Sequence, residues 1–348
     1  MSDLKERIVL DVAYQPQVRT ERDTRRLMLD VIIALVPAVI VAGQQFGIHA
    51  LMLVSAGIGS AVLWEWLYRF LFRKKSNIGD LSAVVTGLLL SLTLPPTAPW
   101  WIPVVGTMFA IIIVKQLYGG IGRNFLNPAL AGRAFLLASY ATLMANWCVP
   151  NGLKLTVDAT SMATPLAQLY DFSDGAAGVM PEYFSFGRLF MGYIPGSMGE
   201  ISTLAILLGG AYLIYRNVIS WRIPVSFIGT VALVTFMFAG KGFSHGEWML
   251  YNLLSGSVLF GAFFMATDYA TSPVTLNGQL LYGCGCGLLT VMIRYFGGYP
   301  EGTTYAILIM NLCTWAIDKG FHRHQFGVSK GDIIAARAAK QLEKEGRK

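Results

Sequence analysis

Long apolar runs follow one another along most of this chain and are separated by short polar segments. A helix needs about 20 apolar residues to cross a membrane core about 30 Å thick, and windows of that length predict ten spans. The third span is short and ends in the proline-containing LTLPPTAP. The pattern therefore predicts an all-α membrane protein. Its predicted spans are residues 27–45, 48–71, 79–95, 100–118, 125–147, 200–216, 222–240, 248–267, 277–296 and 302–319.

The composition supports a membrane protein. Over 348 residues the chain is 54% hydrophobic and only 14% charged, which is more apolar than a soluble domain of that length requires. An ordinary soluble domain is therefore excluded. Residues 1–26 are polar and carry Arg19, Arg22, Arg25 and Arg26 just before the first apolar run. No cleavable signal is expected, and the first span is predicted to act as its own insertion signal.

Positive charges predict the orientation, because Lys and Arg in short loops remain on the cytoplasmic side. With ten spans and a cytoplasmic N-terminus, 23 of the 27 basic residues fall on the inner side. Both termini are therefore predicted to be cytoplasmic, and residues 148–199 to form an outer loop. The net charge of +7 follows from this bias and needs no nucleic-acid partner. The basic tail 320–348 is expected to be a solvated cytoplasmic helix, with lipid or partner docking as the alternative.

A weak internal repeat divides the chain into two halves. GLLLSLTLPPTAP at 87–99 and GAFFMATDYATSP at 261–273 share four residues at an offset of 174, half the chain length. They fall at the third and eighth spans, so each half has five spans, and the odd number makes the second half inverted. The predicted repeats are residues 27–147 and 200–319. Inverted repeats with broken helices usually enclose a binding site, because unwound backbone cannot face lipid.

Two kinds of polar residue within this pattern are open to interpretation. GGIGRNFLNPALAGRAF at 119–135 brings Asn124 and Asn127 just ahead of a proline, where they can cap a helix or contact a ligand. This glycine-rich segment lacks the Lys-Ser/Thr pair of a phosphate loop. Cys284 and Cys286 would point to nearly opposite faces of a helix, so no metal site is predicted.

Acidic residues in or near the spans are candidate functional groups, because charges inside a membrane are costly. Glu65 precedes Arg69 by one helical turn, so an ion pair near the inner surface and a cation site are both open. Asp268 and Asp318 lie close to the inner ends of the eighth and tenth spans. Each of them could cap a helix, contact a cofactor or bind a cation. Glu65 and Asp318 are the cation-pathway candidates.

The outer loop carries an unusual density of hydroxyl groups. Between Thr156 and Thr164 it has three threonines and one serine, within the stretch TVDATSMAT. Turn chemistry explains such hydroxyls in a watery loop, and a covalent role is the alternative. Pro165 biases Thr164 toward an extended conformation, which keeps the hydroxyl accessible.

Four segments together resemble the RnfD component of the Rnf electron-transport complex, a family related to the NqrB component of the sodium-pumping NADH:quinone oxidoreductase. The segments are DATSMATPLA, GRNFLNPALAGRAF, FMATDYATSP and ILIMNLCTWAID, and the resemblance runs nearly from end to end. The length of the chain favours the Rnf component. The resemblance implies an inner-membrane subunit of a bacterial complex that passes electrons between ferredoxin and NAD and translocates Na⁺ or H⁺. An outer FMN-bearing subunit and iron-sulfur subunits are its expected partners.

The resemblance also implies an FMN joined through its phosphate to a threonine of the outer loop. The flavin transferase that attaches it reads a pattern like Asp-x-x-Ser/Thr-Gly-Ala-Thr. Asp158, Ser161, Ala163 and Thr164 fit this pattern, with Thr164 as the attachment site, while Met162 stands where Gly is usual. The flavin supplies the redox reaction, and the protein supplies position and electrostatics.

A second, non-covalent flavin, riboflavin, is implied on the inner side. Asn124, Asn127 and Asp268 are the candidates for holding it. An outer FMN and an inner flavin would divide a membrane core about 30 Å thick into shorter electron-transfer steps. No dinucleotide fingerprint is present, so NAD is not expected to bind this chain. The alternatives are the quinone-reducing relative, with a different electron acceptor, and an inverted-repeat transporter without flavin.

Overall fold

The structure, a computed structural model, describes residues 23–74, 78–148, 150, 164–173, 185–297 and 301–321. All regular secondary structure in these ranges is helical, which confirms the all-α prediction for this part of the chain. The predicted recognition residues Asp158, Ser161 and Ala163 lie outside the described residues, as do most of the N-terminal segment and the basic tail.

Among the described residues of the first half of the chain, two long apolar helices come first and shorter helices follow. Asn127 accepts hydrogen bonds from the first turn of one of them, with Pro128 at its first position, where a missing N–H costs nothing. The helices are α1 (Thr24–Phe46), α2 (Ile48–Leu71), α3 (Ser82–Leu92), α4 (Trp101–Met108), α5 (Pro128–Ser139) and α6 (Ala141–Met144). A π-helical segment, Phe109–Gln116, continues α4.

The rest of the described chain has two short helices within the predicted outer loop, α7 (Pro165–Ser173) and α8 (Phe186–Met191), followed by the helices of the second predicted repeat. The helices of this repeat are α9 (Thr203–Tyr215), α10 (Arg222–Met237), α11 (His245–Leu254), α12 (Val258–Phe260), α13 (Leu276–Phe296) and α14 (Thr303–Gly320). A second π-helical segment, Gly261–Met265, continues α12. The predicted eighth span, 248–267, is not one straight helix. The axis of α11 makes an angle of 62° with that of the α12 segment, which is α12 together with its π-helical continuation, Val258–Met265. The break falls at Gly256, whose φ of +82° lies in the left-handed region.

Within the described residues, three helices are long and apolar enough to cross a membrane: α1, α2 and α13. A fourth is added if α11 and the α12 segment together form one bent span. Four shorter apolar helices are also present among these residues: α3, α9, α10 and α4 with its π-helical continuation, Trp101–Gln116. Large apolar side chains such as Leu63, Leu233 and Trp315 are more than half exposed, as expected for a surface that faces lipid. These features fit a membrane protein, while the count of ten spans stays a prediction.

Small residues allow the helices to approach closely. A Cβ on Gly87 of α3 would lie 2.5 Å from the carbonyl oxygen of Gly57 in α2, and one on Gly209 of α9 would lie 2.2 Å from that of Ala34 in α1. Glycine at such contacts is typical of helices packed within a membrane, where van der Waals contact drives association. The buried residues form one main cluster that includes Leu90 and Phe260, so the α12 segment is part of this core.

Candidate functional site

A cavity of about 90 Å³ lies at the start of α5 and is called the Asp268 cavity here. The predicted residues Asn124, Asn127 and Asp268 all line it, although 141 positions separate Asn127 from Asp268 in the sequence. Lys115 and Ser82 add polar groups to the same wall. Both π-helical segments end at this cavity, and π-helical turns are frequent at functional sites.

Asn127 joins the two halves of the chain at this cavity. Its Oδ1 accepts hydrogen bonds from the backbone N–H groups of Ala129 (3.0 Å) and Leu130 (3.3 Å). Its Nδ2 donates to the carbonyl oxygen of Met265 at 3.0 Å. Asn127 is therefore both the cap of α5 and an anchor for the second π-helical segment. Asn124 donates to the carbonyl oxygen of Leu126 at 3.0 Å and so shapes the turn before the cap.

Asp268 follows the second π-helical segment and is partly buried. Its Oδ2 accepts a hydrogen bond from the Thr271 hydroxyl at 3.1 Å. Burial raises the pKa of the Asp268 carboxyl, and the nearby positive charge of Lys115 opposes that rise. The cavity thus combines a carboxyl group, an ammonium group and two amides.

Glu65 lies in a buried ion cluster beside this cavity. Its carboxylate accepts from Lys115 Nζ (2.9 Å), Gln116 Nε2 (2.8 Å) and Arg69 Nη2 (3.2 Å). Lys115 also donates to the Ser82 hydroxyl at 2.6 Å. The Glu65–Arg69 ion pair expected from their spacing is present, and Lys115 is a second cationic partner that the sequence did not reveal.

Asp318 has a different set of contacts. Its carboxylate accepts from the backbone N–H groups of Val274 (3.1 Å) and Thr275 (3.2 Å) and from the Thr275 hydroxyl (2.9 Å). These bonds fix the segment that leads into α13. In this arrangement Asp318 serves as a cap between neighbouring elements.

A larger cavity, of about 250 Å³, lies beside Thr164 and is called the Thr164 cavity here. Arg133 of α5 and Glu301, which lies between α13 and α14, line it together with Thr164. Trp147 and Tyr305 contribute aromatic walls. A small cavity of about 10 Å³ also borders both Thr164 and Glu301.

Thr164 stands immediately before α7. Its Oγ1 accepts a hydrogen bond from the Ala167 backbone N–H at 3.3 Å, so the hydroxyl sits at the helix N-terminus. The sequence indicated turn chemistry here and missed α7, although a threonine followed by proline is a helix-start signal. Leu169 is fully buried in a cluster with Trp248, which docks α7 onto α11.

Arg133 is the centre of a buried charge network at the Thr164 cavity. Its Nη1 donates to Glu200 Oε1 at 2.8 Å, and its Nη2 donates to Glu301 Oε2. Its Nε has no hydrogen-bond partner among the described residues. Arg294 lies nearby, and its Nε donates to the carbonyl oxygen of Glu301 at 3.2 Å. The Arg133 side chain is therefore buried against Glu200 and Glu301, in a charge network that the sequence did not reveal.

The family assignment follows from comparison with known proteins. The profile described as the NQR2, RnfD, RnfE family matches residues 11–327, which is most of the chain. The chain belongs to this family. The resemblance drawn from the four sequence segments is thereby confirmed, and together with the apolar helices it identifies a multi-pass membrane protein.

Individual relatives cover nearly the whole chain. The D subunit of the Na(+)-translocating ferredoxin:NAD(+) oxidoreductase complex of Acetobacterium woodii is 47% identical over 92% of this chain and 96% of the relative. The D subunit of the proton-translocating ferredoxin:NAD(+) oxidoreductase complex of Clostridium ljungdahlii is 40% identical over 92% and 97%. The D subunit of the ion-translocating oxidoreductase complex of Shigella flexneri is 36% identical over 93% and 100%. These relatives carry names with different coupling ions, so family membership alone leaves the ion open.

Proposed function

We propose that this chain is the RnfD component of an ion-translocating ferredoxin:NAD oxidoreductase complex and carries electrons through covalent FMN at Thr164. It acts with the other membrane and peripheral subunits and has no activity by itself. The names and near-complete coverage of its relatives support the complex. The observation that carries the FMN assignment is the position of Thr164, at the N-terminus of α7 and on the wall of a 250 Å³ cavity.

The Thr164 end of the molecule is proposed to face outward. Arg69 and Arg123 lie near the glycine turn of residues 119–122, at the same end as the Asp268 cavity. Basic residues favour the cytoplasmic side, which supports an inner position for that cavity. The opposite end, with Thr164, then faces the side on which a flavin transferase would act.

Three features of the Thr164 cavity fit an FMN ester. A phosphodiester on the threonine hydroxyl would lie at a helix N-terminus, where backbone N–H groups and the helix dipole favour an anion. The unpartnered Nε of the buried Arg133 offers a hydrogen-bond donor beside the same cavity. Trp147 and Tyr305 provide aromatic surface for a planar ring. The cavity is close to the lower end of the usual ligand-pocket size of about 300–1,000 Å³.

A riboflavin in the Asp268 cavity is the proposed inner flavin. Asn124, Asn127 and Asp268 offer polar groups for its ring or ribityl chain. The cavity of about 90 Å³ is smaller than a ligand pocket of about 300 Å³, so binding requires it to widen or to continue into a neighbouring subunit. Glu65 and Asp318 remain proposed cation-pathway residues. To bind a cation, Glu65 would have to release its ion pairs and Asp318 its hydrogen bonds to Val274 and Thr275.

The two cavities are related by the proposed inverted repeat. Asn127 precedes α5 at one cavity and Glu301 precedes α14 at the other, at the offset of 174 that the sequence repeat has. Pro128 and Leu137, nine positions apart in α5, line the two different cavities. At 1.5 Å per residue this separates them by about 14 Å along the helix axis. Two flavins at that spacing would make a short electron path through the protein.

Covalent flavin separates this function from the alternatives. Purified complex is denatured, run on a gel and inspected for flavin fluorescence at the mass of this chain. We expect a fluorescent band in the wild type and none in Thr164→Ala, because the ester needs the hydroxyl. A wild-type chain without fluorescence would instead favour the transporter. Electron transfer to quinone with no transfer to NAD would favour the quinone-reducing relative.

A further inference from the structure

Glu301 lies between the two cavities that share Thr164. It follows α13 and precedes α14, outside both helices, and its side chain is 17% exposed. Glu301 lines both the 250 Å³ cavity and the 10 Å³ cavity. Among the described acidic residues that line either cavity, Glu301 borders both, whereas Glu200 borders only the smaller one. Of these two acids, Glu301 is therefore the one whose protonation would respond more strongly to a charge in the cavity beside Thr164.

The charged groups around Glu301 come from several elements. Arg133 of α5 binds two carboxylates at once, Glu301 and Glu200, the latter from the segment before α9. Arg294 of α13 donates to the backbone oxygen of Glu301, and its Nη2 has no partner among the described residues. The phenol groups near these arginines are those of Tyr305 of α14, beside Arg133, and of Tyr170 and Tyr295, beside Arg294. With both glutamates ionised, two positive and two negative charges balance.

Two effects favour the protonated form of Glu301. Burial disfavours its charge, and the nearby carboxylate of Glu200 repels it. Together they outweigh the attraction of Arg133 and Arg294 and raise the pKa of Glu301 to about 7. A proton can therefore bind or leave this group near neutral pH with little cost. An added negative charge in the adjacent cavity would favour the bound proton further, because charges interact strongly in a poorly solvated site.

We propose that Glu301 binds a proton from the outer aqueous phase when the flavin on Thr164 gains an electron, and releases it when the electron leaves. This inference rests on the proposed covalent flavin. For each electron that a flavin held there would accept, one proton would form an O–H bond on the Glu301 carboxylate, so the net charge of the site would be unchanged. The electron comes from a reduced flavin or iron-sulfur centre of a partner subunit, which is oxidised by one electron in the same step. Arg133 holds the carboxylate in place, which makes it a positioning residue.

Potentiometric titration of the covalent flavin in purified complex, repeated at pH values on both sides of 7, tests this proposal. In the wild type we expect a potential that is constant well below pH 7, where Glu301 already holds its proton. Above pH 7 the electron affinity should fall tenfold per pH unit, because one proton accompanies each electron. Glu301→Gln cannot take up the proton and should lose the tenfold-per-unit dependence that begins near pH 7. Glu301→Asp keeps a carboxyl group and should retain the dependence at a shifted pH.

Glu247 provides a matched control, because its exposed carboxylate caps α11 through Ser244 and lines neither cavity. Glu247→Gln should keep the wild-type profile. A wild-type profile in Glu301→Gln, or a flat profile in the wild type, would overturn the proposal. If Glu301→Gln does not assemble, the Asp variant decides: a shifted profile supports the proposal and an unchanged one overturns it. Absence of the fluorescent band in the wild type contradicts the covalent flavin itself, which keeps the two failures distinguishable.

Discussion

The ammonium group of Lys115 lies 2.9 Å from the carboxylate of Glu65, and the two side chains are 3% and 0% exposed. Charges buried to this extent persist only when they are paired and hydrogen-bonded. Glu65 meets this condition through two cations and one amide. The pair therefore ties α2 to the π-helical segment that forms one wall of the Asp268 cavity.

Removing the carboxylate should be the most damaging change in this cluster. Glu65→Leu leaves Lys115 buried without its anionic partner, and breaking a buried pair costs about 3–5 kcal/mol. Lys115→Leu leaves Glu65 with Arg69 and Gln116, so a smaller loss is expected. The double variant with both substitutions should recover part of the stability that Glu65→Leu loses, because neither buried charge is then left without its partner. Thermal unfolding of the detergent-purified complex measures all three, and equal stability of Glu65→Leu and the wild type would contradict the pairing.

Close packing of α2 against α3 predicts a steric effect at Gly87. A methyl group there would lie 2.5 Å from the Gly57 carbonyl oxygen, and backbone atoms at that distance must move. Gly87→Ala should therefore destabilise the protein by about 1–3 kcal/mol. Gly59→Ala is the control, because no described atom beyond the neighbouring backbone of α2 lies within 4 Å of its added methyl group. Equal melting temperatures for the two variants would show that the helices do not approach as described.

The helical segments could be predicted because apolar windows are local features of the sequence. The predicted 48–71 coincides with α2, and the Asn-Pro pair correctly marked the start of α5. The charge network could not be predicted, because Arg133 meets Glu200 and Glu301 across 67 and 168 positions of the chain. Local periodicity carries no information about such pairs. The bend at Gly256 was also missed, since a single glycine does not interrupt an apolar window.

Orientation can be tested by thiol labelling in intact cells. In a background without the native cysteines, a cysteine at Asn151 should react with an impermeant reagent added outside, because residues 148–199 are predicted to form the outer loop. A cysteine at Asn77, in a loop predicted to be cytoplasmic, should react only after the cells are opened. The reverse pattern would overturn the orientation and the outer position of Thr164.

Asn127 combines two roles that substitution can separate. Asn127→Asp keeps an oxygen to cap α5 but loses the amide that donates to Met265, whereas Asn127→Leu loses both. If the polar cavity holds the inner flavin, Asn127→Leu and Asp268→Leu should each deplete the complex of non-covalent flavin. The covalent flavin should remain in both. Extraction followed by chromatography measures the two pools, and survival of both pools in each leucine variant would show that these residues only shape the fold.

The final prediction concerns which hydroxyl of the outer loop is modified. Thr160 and Ser161 are close in sequence, but only Thr164 completes the pattern that begins with Asp158. Thr164→Ser should retain some covalent flavin, because a hydroxyl remains at the N-terminus of α7. Asp158→Ala should lose much of it if the transferase reads that carboxylate, although the phosphoester itself does not involve Asp158. Mass spectrometry of the loop peptide should find the FMN adduct on residue 164. An adduct on Thr160 or Ser161 would refute the assignment.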